Sequence, residues 1–234
     1  DGKWIEYNSD GKLLVDGVYD MKTKWNGIFR GEYYFDGIKA EEHNDYFADG
    51  GSTAKISAKG LMINDSIKIG KWDFFRKDGS KKNSGDFDKN KKTGEWEYWY
   101  KSGDKEKVGF FRNDMMDGKW EGWYYSGQKF YVRTYKLGKK EGLWAWWNSD
   151  GSKKYEGMYL NDKKDGKWSQ WNEKGDIIIE GSYYNDIKWS GIFEDGRYYK
   201  GRMASRFEDY YENGTLKAQG LQIGDIKLDM WNYY

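Results

Sequence analysis

Apolar positions in this chain come in short alternating runs, separated by polar clusters rich in Asp, Asn, Gly and Lys. Alternation of period two marks a strand with one covered face, and no apolar stripe at helical spacing persists. The runs are themselves periodic. Gly-x-Trp occurs at Gly70, Gly94, Gly118, Gly142 and Gly166, each 24 residues after the last. A step of that size marks a repeat architecture whose units stack on their neighbours to bury their apolar faces.

Numbering a unit 1 to 24 from its anchor glycine, position 3 is Trp and position 6 is Phe75, Trp99, Trp123, Trp147 or Trp171. Position 10 is Gly throughout. Position 16 is Gly except at Arg133, and position 18 is Phe87, Phe111, Tyr135, Tyr159 or Tyr183. Asp78-Gly79, Ser102-Gly103 and Asp150-Gly151 fall at positions 9 and 10, and read as two-residue type I′ hairpin turns. That placement pairs positions summing to 19: Trp96 faces Gly109, Gly94 faces Phe111, and the aromatic at position 6 faces Lys82, Glu106 or Lys154. A second turn falls at positions 20–23, as in Asn161-Asp162-Lys163-Lys164. Centred there, it sets position 18 against the next unit's first glycine, and the position 16 glycine against the next unit's Trp. Each large ring then lies over bare backbone, which is aromatic rescue of glycine in a strand.

The regular units run from about residue 70 to 190, with looser segments at 27–69 and 191–234. Residues 1–26 make one further unit with Gly2, Trp4, Gly11 and Gly17. Trp25-Asn26-Gly27-Ile28-Phe29 recurs as Trp189-Ser190-Gly191-Ile192-Phe193, and Asp45-Tyr46-Phe47 as Asp209-Tyr210-Tyr211. Both recurrences are 164 residues apart, so a longer duplication contains the short repeat. The expectation is an all-β fold over residues 1–234: one array of antiparallel hairpins, 18–20 strands in all, in an elongated twisted meander of about 90 Å. The chain opens on Asp1-Gly2-Lys3-Trp4, inside a motif, which suggests a trimmed upstream segment; a secreted, periplasmic or cell-surface setting is the leaning.

Composition narrows the function. Aromatic residues make up 20% of the chain, which separates it from disordered sequences of similarly low hydropathy. Forty basic residues balance 39 acidic ones, so the basic footprint of a nucleic-acid binder is missing. Without Cys there is neither disulfide nor thiol chemistry. No apolar run approaches membrane-spanning length. His43, the only histidine, has no nucleophile at motif spacing, and the acidic loops carry Lys that opposes a calcium site. No catalytic residue, cofactor or metal is expected.

Tyr155-Glu156-Gly157-Met158-Tyr159, followed by Asn161-Asp162-Lys163-Lys164-Asp165-Gly166-Lys167-Trp168, resembles the MORN repeat (membrane occupation and recognition nexus). The Gly-Lys-Trp form is most similar to the bacterial variant of YwqK-type antitoxins. The resemblance implies hairpins used for binding without catalysis. It points to a protein partner, toxin-neutralising or immunity-like, with carbohydrate or cell-envelope binding as the alternative. The odd-position Trp row is accounted for by the glycines it covers. The even-position row of Trp99, Trp123, Trp147 and Trp171 has no such account and is the candidate binding face, strongest at Trp123 and Trp147. Arg133 joins it as the exception to the glycine pattern, with a cation–π contact to Trp120 expected.

Overall fold

A computed structural model describes residues 2–20, 23–29, 31–48, 54–228 and 231–234. Asp1 and the Gly50-Gly51 pair lie outside the described residues. The protein is all-β, with no helix among the described residues. It divides into two compact units, Asp1–Gly118 and Lys119–Tyr234.

In the first unit, consecutive strands pair antiparallel from Gly2–Tyr7 through to Lys105–Arg112. In the second, the same succession runs from Lys129–Lys136 through to Arg202–Met203. A further small sheet there joins Ser205–Tyr210, Leu216–Ile223, Ile226–Lys227 and Asn232–Tyr233.

The register across the first hairpin of each unit follows the sequence pattern. Trp96 stands opposite Gly109 and Gly94 opposite Phe111. Trp72, Trp144 and Trp168 stand opposite Gly85, Gly157 and Gly181. Towards the preceding strand the ring itself lies on the glycine. A Cβ added to Gly85 would meet Trp96 ring atoms at 2.3 Å, and one added to Gly157 would meet Trp168 at 2.1 Å. Each indole also donates its Nε1–H to a carbonyl of that strand: Trp72 to Leu61 (3.1 Å), Trp96 to Asp86 (3.1 Å), Trp144 to Thr134 (2.8 Å), Trp168 to Met158 (3.0 Å). Trp72, Trp96, Trp120, Trp144 and Trp168 are consequently only 0–6% exposed. The array's core is this ring-on-backbone layer.

The two kinds of turn are the reverse of the expectation. The loop at positions 8–10 has three residues. Tyr100 N–H donates to Asp104 O (2.8 Å) and Gly103 N–H to Tyr100 O (3.1 Å), with positive φ at Gly103 (96°) and not at Ser102. A one-residue bulge then restores the expected register, so the skipped residues are Lys82, Glu106 and Lys154, and the position 6 aromatics face Lys81, Lys105 and Lys153. The type I′ turns lie at positions 20 and 21 instead, where Asn113-Asp114 and Asn161-Asp162 both have positive φ. There, position 18 pairs with Lys at position 23, as Phe87 with Lys92 and Tyr159 with Lys164, and not with the next anchor glycine. The anchor glycine sits in the following bulge; Gly94 has φ +65°. Asp and Asn suit these turns for a second reason: Asp114 Oδ1 accepts from Lys92 N–H (2.8 Å), and Asp162 Oδ1 from Lys140 N–H (2.8 Å), tying each turn to the preceding one.

The longer duplication is structural as well. Phe29 covers Gly17, and Phe193 covers Gly181; Gly17 faces Gly27, and Gly181 faces Gly191. Phe29–Tyr34 and Phe193–Tyr198 are edge-on pairs at 5.6 and 5.5 Å. Trp72 over Gly60 is matched by Trp231 over Gly220.

Candidate functional site

Four lysines of the even face are ion-paired. Lys81 pairs with Asp73 (2.7 Å), Lys105 with Glu97 (2.7 Å), Lys129 with Glu121 (2.8 Å) and Lys153 with Glu156 (2.6 Å). Three of these lysines lie over candidate tryptophans of the next unit: Lys81 over Trp99 (4.9 Å), Lys129 over Trp147 (5.8 Å), Lys153 over Trp171 (5.6 Å). Trp99, Trp123, Trp147 and Trp171 are half-buried. The strand carrying Trp147 is pinned further by Tyr124 Oη, which donates to the Trp147 carbonyl (2.8 Å).

The odd face differs. Here the rings at position 18 alternate with the buried indoles at position 3 in a continuous layer. Within the second unit, Tyr135, Trp144, Tyr159, Trp168 and Tyr183 follow one another with centroids 5.0–5.9 Å apart. Within the first, Trp72, Phe87, Trp96 and Phe111 do the same at 5.2–6.3 Å. Lysines at position 23 rest on this layer: Lys92 over Trp96 (4.3 Å), Lys140 over Trp144 (5.0 Å), Lys164 over Trp168 (4.3 Å). Among the described residues, none of these three has a carboxylate within salt-bridge distance. Burial pushes the Lys92 and Lys164 ammoniums below the usual lysine range, against the opposing pull of Asp114 and Asp186 respectively.

Two grooves open on this layer at equivalent places. One, of about 410 Å³ in the first unit, is lined by Lys68, Phe74, Phe87, Lys92 and Trp96, among others. The other, of about 290 Å³ in the second unit, includes Trp146, Tyr155, Tyr159, Lys164 and Trp168. Burial raises the hydroxyl pKa of Tyr155 and Tyr159 above the ordinary tyrosine range. These side chains can hold an apolar or planar group against the rings and an anion at the lysines. Among the described residues no three His, Asp or Glu side chains converge as metal ligands.

Arg133 belongs to this odd face and not with the four tryptophans of the even one. Expected over Trp120, its guanidinium lies over Tyr131 (4.1 Å), Trp146 (4.8 Å) and Trp144 (5.4 Å). The sequence reading missed the lysine row because Lys at position 23 looked like turn chemistry. Its recurrence at Lys92, Lys140, Lys164 and Lys188 was the available signal.

Residues 1–21 match the family described as MORN repeat variant. Repeats of this family are in general protein- or membrane-binding modules. No curated protein matches the chain.

Proposed function

We propose that this protein is a non-catalytic recognition module that binds another protein along its odd face. The observation that supports this most is the recurrence, at the same repeat positions in each unit, of a ring-floored groove edged by a lysine, Lys92 or Lys164, with no carboxylate within salt-bridge distance; Lys68, on the first groove, lies 3.7 Å from Asp45. Aromatic side chains supply contact area at low entropic cost, and the unpaired ammoniums favour an acidic partner and speed its encounter. Three of the even-face tryptophans, Trp99, Trp147 and Trp171, already lie beneath ion-paired lysines, so that row offers less. A neutralising, antitoxin-like role is the finer form of this reading, supported by the bacterial repeat that the sequence resembles. Binding of carbohydrate or cell envelope through the even-face aromatic row has less support, because those indoles are half-buried and three of them lie beneath ion-paired lysines.

The experiment is capture from the native host with the full chain as bait, beside Lys92→Glu/Lys164→Glu and Trp123→Ala/Trp147→Ala. The expected result is a stoichiometric protein captured by the wild type, lost with the lysine reversals and kept with the tryptophan truncations. Retention on glycan or peptidoglycan beads with no protein captured would favour the envelope reading. Loss with the tryptophan variant alone, its fold intact by circular dichroism, would return the site to the even face.

A further inference from the structure

Arg133 breaks the repeat in a way that the fold has accommodated with two further changes. Position 16 is otherwise glycine, lying beneath the next Trp. Position 5 is otherwise Phe74, Tyr98, Trp146 or Gln170, but here it is Gly122. That missing side chain is replaced by a neighbour: a Cβ at Gly122 would lie 2.4 Å from the Tyr131 ring. So Tyr131 drops into the vacant place and becomes a shelf. The Arg133 guanidinium lies on that shelf, flanked by Trp146 and Trp144. Trp146 is itself stacked on Tyr155 at 4.4 Å, and both also line the adjoining groove.

The charge so placed is uncompensated. Among the described residues no carboxylate or carbonyl bonds to Arg133, and its Nε is buried without a hydrogen-bond partner. Three other arginines have partners: Arg76 donates to the Lys81 carbonyl (2.6 Å) and to that of Trp99, Arg112 pairs with Asp117 (2.9 Å) and Arg206 with Glu208 (3.0 Å). Stacking offsets part of the cost of burying a guanidinium but leaves its in-plane donors unused. With Nε shut in, the Nη nitrogens of this half-buried side chain are the donors that remain accessible. A planar guanidinium held flat, with its donor edge free beside the Trp146 and Trp144 rings, matches a planar carboxylate.

We infer that Arg133 is the specificity anchor for a carboxylate on an acidic peptide segment, laid over the Tyr131 shelf and running into the groove edged by Lys164. This rests on the recognition reading above. The carboxylate comes either from a Glu or Asp side chain or from a chain terminus, and the probe distinguishes these. The test uses the full chain and fluorescein-labelled octapeptides: oligo-Glu with an amidated end, oligo-Gln with a free terminal carboxylate, and amidated oligo-Gln. Binding is read by anisotropy at low salt. Wild type is expected to bind at least one carboxylate-bearing peptide and not amidated oligo-Gln. Arg133→Gly restores the repeat's own residue and should leave the thermal midpoint unchanged or higher, while weakening that binding about tenfold, the equivalent of one charge-assisted contact. Arg133→Lys should fall between. Equal binding by Arg133→Gly and wild type overturns the assignment, as does the absence of carboxylate-dependent binding. If host capture persists in either case, the recognition reading stands without it.

Discussion

A glycine beneath an indole is the smallest unit of this structure. Its worth comes from two sources: close contact of a large ring with bare backbone, and one hydrogen bond from the indole N–H, which contributes about 1 kcal/mol. Gly157 should therefore be intolerant of even a methyl group, because its Cβ would lie 2.1 Å from Trp168 and the neighbour is a buried ring with no room to yield. Gly157→Ala is expected to destabilise by about 2–3 kcal/mol, as overpacking in a tight core does, measurable by urea denaturation. A change below about 0.5 kcal/mol would mean that the ring merely covers the strand. The Trp–Gly relation was legible from spacing alone. Which neighbouring glycine carries the ring was not, because Trp168 stands opposite Gly157 on one side and Gly181 on the other while the indole leans over Gly157 alone.

Turns are the element at which the sequence reading went astray. Asp-Gly and Ser-Gly suit a two-residue type I′ turn, but they also suit a type I turn closed by a glycine at positive φ, followed by a bulge. The third residue decides the matter. Ser80 donates from both N (2.9 Å) and Oγ (2.6 Å) to Asp78 Oδ1, and Ser152 repeats this with Asp150 (2.8 and 2.6 Å). Those bonds from Ser80, its side chain first and its backbone second, hold the Asp78 carboxyl down at about 2. A depressed carboxylate pKa adds stability that is present above the unfolded value of about 3.9 and is lost as pH falls towards about 2. Ser80→Ala should move the Asp78 titration midpoint up towards the ordinary range, read by NMR of its side-chain carboxyl. An unmoved midpoint would show that the hydroxyl is not the cause. The bulge following each such loop also transfers the partner of Trp99 from Glu106 to Lys105. One extra residue thereby set the charge pattern of the even face.

For the whole molecule, the repeat within a repeat predicts matched energetics at distant places. Gly60 lies under Trp72 with its added Cβ 2.4 Å from the ring, and Gly220 under Trp231 at 2.6 Å. Gly60→Ala and Gly220→Ala should cost the same to within about 1 kcal/mol, since each contact is local to its own strand pair. Hydrogen exchange on the full chain, resolved by peptide, would show the loss of protection centred on the altered strand pair. Loss spread evenly over all peptides would contradict the local character of the array. The charge arrangement belongs to this scale too. A net charge of +1 for the chain conceals, within each unit, two kinds of lysine: those paired with Asp or Glu, such as Lys81, Lys105 and Lys129, and those that rest on rings with no carboxylate in salt-bridge distance, Lys92 and Lys164.

By itself the sequence determined the all-β class, the 24-residue unit and the Trp96–Gly109 register, because these follow from short-range periodicity and from glycine's lack of a side chain. The candidate site was only half legible. Arg133 stood out as an exception, but the rings its guanidinium reaches depend on where Tyr131 and Trp146 lie, which spacing does not give. Tertiary structure decided which lysines meet rings alone and which meet a carboxylate as well, since that depends on where each bulge falls and on which strand an indole leans over.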